Sequence, residues 1–420
     1  MKLLFEIGTE ELPAGEIAGA LRALEQHIQK RAKVERLTIG AVRTMATPRR
    51  LTLLVDGIEA SAKTVEERAM GPSTKIAFDA EGNPSRAAIG FARGKGIDPS
   101  ELLRITTPKG EYIAAVVRHE GRSAGDILTD ALADAFAAIS WKRSMRWGWS
   151  TQTFARPVQW IVALLDSDVL DISYGDATSG RETRGHRFLA PENISLASPD
   201  NYVEVLRAAK VMVDIDERRS TIKAGLDALV ADRDGNIVHS DALLNEVTQL
   251  VEWPVPLLGE FPPALLEVPR EVLITSMGTH QRYFAVETAP GQLTNAFAFI
   301  SNMIVEDPSV VVAGNLRVLL ARLDDAKFFF REDQKTPFTE RAAGLSTIRY
   351  IEGLGSVRDR VTRIAALSAR LCDLLYPGDA ETKTHACRAA ALCKSDLSTG
   401  MVYEFPELQG TMGRYYAIAA

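Results

Sequence analysis

The sequence predicts an α+β, multi-domain protein: a mixed strand–helix N-terminal body followed by an all-helical domain. Three observations predict it. At 420 residues the chain exceeds one simple core, which suggests roughly two to four domains of ordinary size. Strand-like and helix-like apolar patterns interleave up to about residue 305. From Asp307 onward nearly every segment reads as helix.

The elements follow in order. LLFEIG near the N-terminus is strand-like. Pro13 then suits a helix start, and AGEIAGALRALEQHIQKRA has apolar residues at helical spacing. AVRTMAT and RRLTLLVDGI are β-rich and flank Pro48, which suits a hairpin. Residues 70–100 are rich in Gly, Pro and small residues, with one short helix at PSRAAIGFARGKG bounded by turns. TPKGEYIAAVVRHEG reads as a strand after a Lys-Gly turn, and DILTDALADAFAAIS as an amphipathic helix. VQWIVALLDSDVLDISYG reads as two strands joined at Asp166-Ser167-Asp168. SPDNYVEVLRAAKVMVD, opening on a cap signal, and DERRSTIKAGLDALVADRDG read as helices. QLTNAFAFISN is a further strand. The expected organisation is a body of 1–60 with 101–305, an inserted small module of 61–100, a connecting helix at 306–334 and a helical domain at 335–420.

Composition excludes several classes. An apolar fraction of 46% with 25% charged residues is that of a soluble globular protein. No apolar run approaches the ~20 residues of a membrane span. Acidic residues interrupt the apolar N-terminal stretch, so it is no signal peptide, and a cytoplasmic location is expected. Cys372, Cys387 and Cys393 form no CxxC pair and read as buried thiols of a helical region. A net charge of −6 confines any nucleic-acid contact to local basic patches.

The densest signal is WKRSMRWGWSTQTFARPVQW, residues 141–160. It holds Trp141, Trp147, Trp149 and Trp160 with Lys142, Arg143, Arg146 and Arg156, and no acid. Guanidinium groups can meet phosphate while indole faces stack on bases. The plainer alternative is a helix end whose tryptophans pack into the core under arginine stems. We read the tryptophans mainly as packing and leave the cations open between the two roles. A second basic cluster, GRETRGHRFL, places Arg181, Arg184, His186 and Arg187 around Gly185, where backbone could approach a ligand. Its alternative is a solvated hairpin.

The third candidate is SMGTHQRYFAV. His280 lacks an activated nucleophile and a second metal-spaced His, since no nucleophile elbow surrounds Ser276. What survives is a polar loop offering His280, Gln281 and Arg282 to a ligand, or a plain hairpin turn into YFAVET. The fourth is DPSVVVAGNLRVLLARLDDAKFFFRED, capped by Asp307 with Pro308 in the first turn. Leu316, Leu319, Leu320 and Leu323 form its apolar stripe, and Asn315, Arg322 and Asp325 a polar one in which Arg322 can pair with Asp325. Phe328, Phe329 and Phe330 predict a helix end packed nearly all round. In the C-terminal region AALCKSDL resembles the His-Asp doublet of HD-type phosphohydrolases, but Ser395 replaces the His beside Asp396. With no His between His280 and His385, the expectation is a helical HD-like domain without its metal. The chain has no P-loop and no Rossmann fingerprint in the right context, which points to a recognition subunit.

"LLFEIGTEELPA", "TMATPRRL", "AAIGFARGKG", "FARPVQWIVALL", "TRGHRF", "SMGTHQRYFAV", "GNLRVLLARLDDAKFFFRED" and "EFPELQGTMGRYYA" occur in order along the chain. Together they resemble the β subunit of bacterial α2β2 glycyl-tRNA synthetase, N-terminal portion. The resemblance implies a β subunit that binds tRNA(Gly) and supports ATP-dependent attachment of glycine by a catalytic α subunit. ATP and magnesium are then expected at the α subunit, with no cofactor on this chain, no catalytic residue of its own, no membrane and no DNA. It also implies that a C-terminal anticodon-binding region is absent here. The N-terminal body is similar, at fold level, to parts of the phenylalanyl-tRNA synthetase β subunit. Two rival readings are a metal-dependent HD-type phosphohydrolase and a scaffold for a partner that never touches RNA.

Overall fold

A computed structural model describes residues 1–79, 82–289 and 291–420. The fold is mixed α+β, with several sheets as well as helices. Contacts group the chain into two compact units, Met1–Ile215 and Asp216–Ala420.

The largest sheet of the first unit carries its core. Its strands run Val42–Thr47, Arg50–Val55, Leu3–Thr9, Val158–Leu165, Ala177–Gly180 and Ser173–Tyr174 in spatial order. Leu3–Thr9 is central and antiparallel to both neighbours. Side chains alternate across a strand, so its two faces enter different cores. Leu3, Phe5 and Ile7 pack with the helices Ala14–Glu35 and Ala124–Ala138. Leu4 packs on the other side with Trp160, Tyr202, Leu206, Val211 and Val213. The expected hairpin around Pro48 is present, with Thr47 paired to Arg50.

On the Leu4 face stands a buried charge. Glu6 and Arg50 are both 0% exposed, with Arg50 Nη1 3.5 Å from Glu6 Oε2. Glu6 also accepts from the Trp160 indole N–H, the Tyr202 hydroxyl and the Thr183 hydroxyl, the last at 2.6 Å. Arg50 donates to the Arg184 carbonyl at 2.8 Å and to the Thr183 and Thr47 hydroxyls. Burial first, and the Glu6 charge second, push the Tyr202 phenol well above its ordinary pKa. Burial followed by the Asp333 charge does the same to Tyr416 in the second unit. An unfolded tyrosine ionises near pH ~10, whereas these two stay protonated in the fold. The contribution of these two phenols to stability is therefore whole below about pH 10 and declines as pH rises beyond it. In a tyrosinate absorbance titration these two phenols should ionise only as circular dichroism is lost; ionisation within the intact fold would contradict their environments.

The segment after residue 60 forms a three-stranded sheet, Val65–Ser73, Gly110–His119 and Leu103–Thr107, which takes strands from both sides of residue 100. The helix Arg86–Lys95 belongs with it, and Ser85 caps that helix by accepting from the Ala87 and Ala88 N–H groups. Residues 80 and 81 of the expected 61–100 module lie outside the described residues. The helix expected from Ser198 is short, Tyr202–Ala208. Lys210 turns the chain at φ 58°, and Val211 and Val213 return to the core.

The second unit holds an antiparallel sheet, Asn236–Val238, Phe284–Ala289, Gln292–Ser301 and Val255–Glu260 in order. The helix Pro308–Asp333 is capped by Asp307, which accepts from Ser309 N–H at 2.9 Å. Its Leu319 and Leu323 are buried, while Leu316 and Leu320 are partly so. Two expectations about this helix fail. Phe328 is 59% exposed, because Phe329 and Phe330 take the packed directions. Arg322 lies 4.0 Å from Glu404 and forms no ion pair with Asp325. The tail is also not wholly helical. A hairpin pairs Arg349–Ile351 with Gly355–Ser356 before the helices Val357–Leu375 and Ala380–Leu392. Gly353 and Gly355 adopt φ of 79° and 80° there, a turn geometry that L side chains resist. Among the described residues no helix is long and apolar enough to cross a membrane.

Candidate nucleic-acid interface

Past the helix Ala124–Ala138 the chain enters the basic aromatic segment. Backbone hydrogen bonds between Met145 and Phe154, of 2.8 and 3.2 Å, close it into a loop. Trp141 packs edge-on against buried Phe154 at 4.9 Å, and Trp147 tilts on Tyr174 at 6.3 Å. Trp160 is buried in its strand. The packing reading thus holds for these three indoles and fails for Trp149, which is 99% exposed. Lys142, Arg143, Arg146 and Arg156 are all exposed. Among the described residues, none of Lys142, Arg143 and Arg146 is ion-paired, so their charge faces water. Arg156 donates to the carbonyl of Ala155 at 2.7 Å.

The second cluster divides between core and surface. Arg184 is half-buried with its guanidinium 4.8 Å from the Trp160 ring centre. It lines a cleft of about 320 Å³ with Trp160, Gln159, Asp176, Glu182 and Asn193. His186 is fully buried, and its Nδ1 accepts from the N–H groups of Phe188 and Leu189, each at 3.2 Å. That fixes the proton of the neutral ring on Nε2, which has no hydrogen-bond partner. His186 therefore holds a turn and does not face solvent. Arg187 is exposed and paired with Glu10.

His280, Gln281 and Arg282 belong to the second unit. The hairpin turn expected there is absent. The helix Arg270–Thr275 continues into a π-helical turn, Ser276–His280, after which Tyr283 N–H reaches back to Met277 O at 2.9 Å. His280 is exposed and stands edge-on to Phe405 at 5.4 Å. Gln281 is half-buried. Arg282 has φ 59° and pairs with Glu246 at 2.9 Å. Ser276, His280, Arg322, Asp325 and Glu404 line a void of about 10 Å³, the size of one water and too small for a substrate.

A family model described as the glycyl-tRNA synthetase beta subunit matches residues 3–420. The chain belongs to that family. It is 45% identical over 417 residues to the glycine–tRNA ligase beta subunit of Trichlorobacter lovleyi, covering 99% of this chain and 60% of that protein. Against the beta subunit of Geobacter sulfurreducens the identity is 44%, with the same coverage. Against that of Myxococcus xanthus it is 44%, covering 99% of this chain and 59% of the relative. The chain thus spans about 60% of the length of these relatives.

In this member of the glycyl-tRNA synthetase β family the Ser395–Asp396 doublet is buried. Asp396 Oδ2 accepts from the N–H groups of Gly410 and Gly413, the latter at 3.1 Å, and so caps the final helix, Thr411–Ala419. Among the described residues no three His, Cys, Asp or Glu side chains cluster as metal ligands. All three thiols are free; Cys372 is buried as expected, whereas Cys387 is only partly buried and Cys393, just past the end of its helix, is exposed.

Sequence reasoning passed over two features. One is the Glu6–Arg50 network, whose signal was a lone acid inside the apolar run LLFEIGT. The other is the outward orientation of Trp149. Its signal was the adjoining Gly148, which stands at φ 57°.

Proposed function

We propose that this chain is a tRNA-binding β subunit of glycyl-tRNA synthetase, which grips tRNA(Gly) while a separate α subunit handles ATP, magnesium and glycine. The observation that carries the reading is the family match across residues 3–420. The exposed, unpaired cations Lys142, Arg143 and Arg146 support it as a local phosphate-binding patch on a chain of net charge −6. Arg156, Arg184 and Arg187 are further candidates, as are His280, Gln281 and Arg282 on the second unit. We read 335–420 as an HD-like segment without catalytic metal, consistent with Asp396 serving as a helix cap. A cytoplasmic location follows from the same reading.

The test is equilibrium binding of the chain to glycine tRNA over a range of salt. Log K should fall linearly with log salt. Arg143→Ala and Arg146→Ala should each weaken binding alike for all RNA sequences and reduce the salt slope by about 1. Salt-independent affinity would count against phosphate contacts, and unchanged binding in both variants would remove the 141–160 patch.

A further inference from the structure

Trp149 is the anomaly of the first unit. Indole is the largest side chain and is highly buried on average, yet this one is 99% exposed. It does not sit on a loose strand of chain. The Met145–Phe154 bridge closes its loop, and the loop's base is tied into the core. Tyr174 donates from its hydroxyl to the Thr153 carbonyl at 2.9 Å, and its ring stacks on Phe136 at 4.0 Å. Ser150 accepts from the Gln152 N–H at 3.0 Å, tightening the far side of the turn. The turn itself is enforced at Gly148. Its φ is 57°, and a Cβ there would lie 2.5 Å from Asp176 Oδ2. The neighbouring indoles fill the interior side of this segment, so Trp149 is held outward with both ring faces open.

Its surroundings select the partner. Arg146 lies in the same loop, and Lys142 and Arg143 immediately precede it; all three are exposed. No acid occurs in residues 141–160. Exposed cations in the same short segment as an open aromatic face match a polyanion that carries flat rings. Bases within a duplex have both faces covered, so only an unpaired base can stack there.

We propose that Trp149 is a stacking platform for an unpaired base of RNA, with Lys142, Arg143 and Arg146 holding the adjoining phosphates. The proposal rests on the tRNA-binding reading and adds to it a residue and a substrate feature.

The test compares wild type, Trp149→Ala and Trp149→Phe in binding glycine tRNA and a fully paired RNA duplex, each at several salt concentrations. Trp149→Ala should weaken tRNA binding by about tenfold, within the range for base–aromatic stacking. The salt slope and the duplex affinity should stay as in wild type, and Trp149→Phe should recover most of the loss. An exposed side chain is not needed for folding, and thermal unfolding of both variants should match wild type. Wild-type binding to tRNA that Trp149→Ala leaves unchanged overturns the stacking role and spares the tRNA-binding reading. No salt-dependent binding by wild type overturns both. Unaltered RNA affinity with weakened association to the α subunit would make Trp149 a protein anchor and overturn the proposal.

Discussion

Glu6→Ala is expected to destabilise the first unit by about 3–5 kcal/mol, read as a lower urea midpoint with an unchanged denaturant slope. The substitution takes a carboxylate away from a fully buried guanidinium: Arg50 keeps its hydrogen bonds to Thr183 and the Arg184 carbonyl, but loses the charge of Glu6. It also strips the acceptor from Trp160 and Thr183, while the Tyr202 hydroxyl keeps its bond to the Thr52 hydroxyl. Each is buried, and an unsatisfied buried donor costs ~1–3 kcal/mol on its own. Four of the five tryptophans lie in this unit, so indole fluorescence reports on it. Glu6→Gln should fall between, since it retains the size and an acceptor but not the charge. A loss below about 1 kcal/mol for Glu6→Ala would mean that water or rearrangement rescues Arg50.

Asp333→Ala should have a comparable effect on the second unit, again about 3–5 kcal/mol, followed by far-ultraviolet circular dichroism. Asp333 is buried at the end of the long helix. Its carboxylate accepts from Gly400 N–H, Met401 N–H and the Tyr416 hydroxyl, each at 2.9 Å. Arg341 adds an ion pair at 3.3 Å with little exposure on either side. One side chain thus joins the start of the helix Gly400–Glu404, the last helix and Arg341. The contrast is Arg322→Ala, whose pair with Glu404 is solvated and 4.0 Å long, and which should cost less than about 1 kcal/mol. Equal effects from the two substitutions would remove Asp333 from its assigned place.

Both networks explain what could not be read from the chain alone. The partners of Glu6 stand 44, 177 and 196 residues away at Arg50, Thr183 and Tyr202. No local pattern encodes which strand will lie beside which at that range. His186 shows the same limit from the other side. In the chain it reads as one cation among arginines, whereas the fold buries it as the acceptor of a turn. The triple phenylalanine implied burial all round, but a helix packs only where neighbours exist, and Phe328 is left 59% exposed.

The amino-acid order by itself determined the strand–helix alternation, the hairpin at Pro48, the capped helix from Asp307 and the family, because these reside in short-range periodicity, capping and contiguous motifs. Only the tertiary structure decided that Glu6 and Asp333 lie inside, that Trp149 lies outside and that Asp396 ends as a cap. Burial depends on which distant surfaces meet, and that depends on the packing of the whole unit.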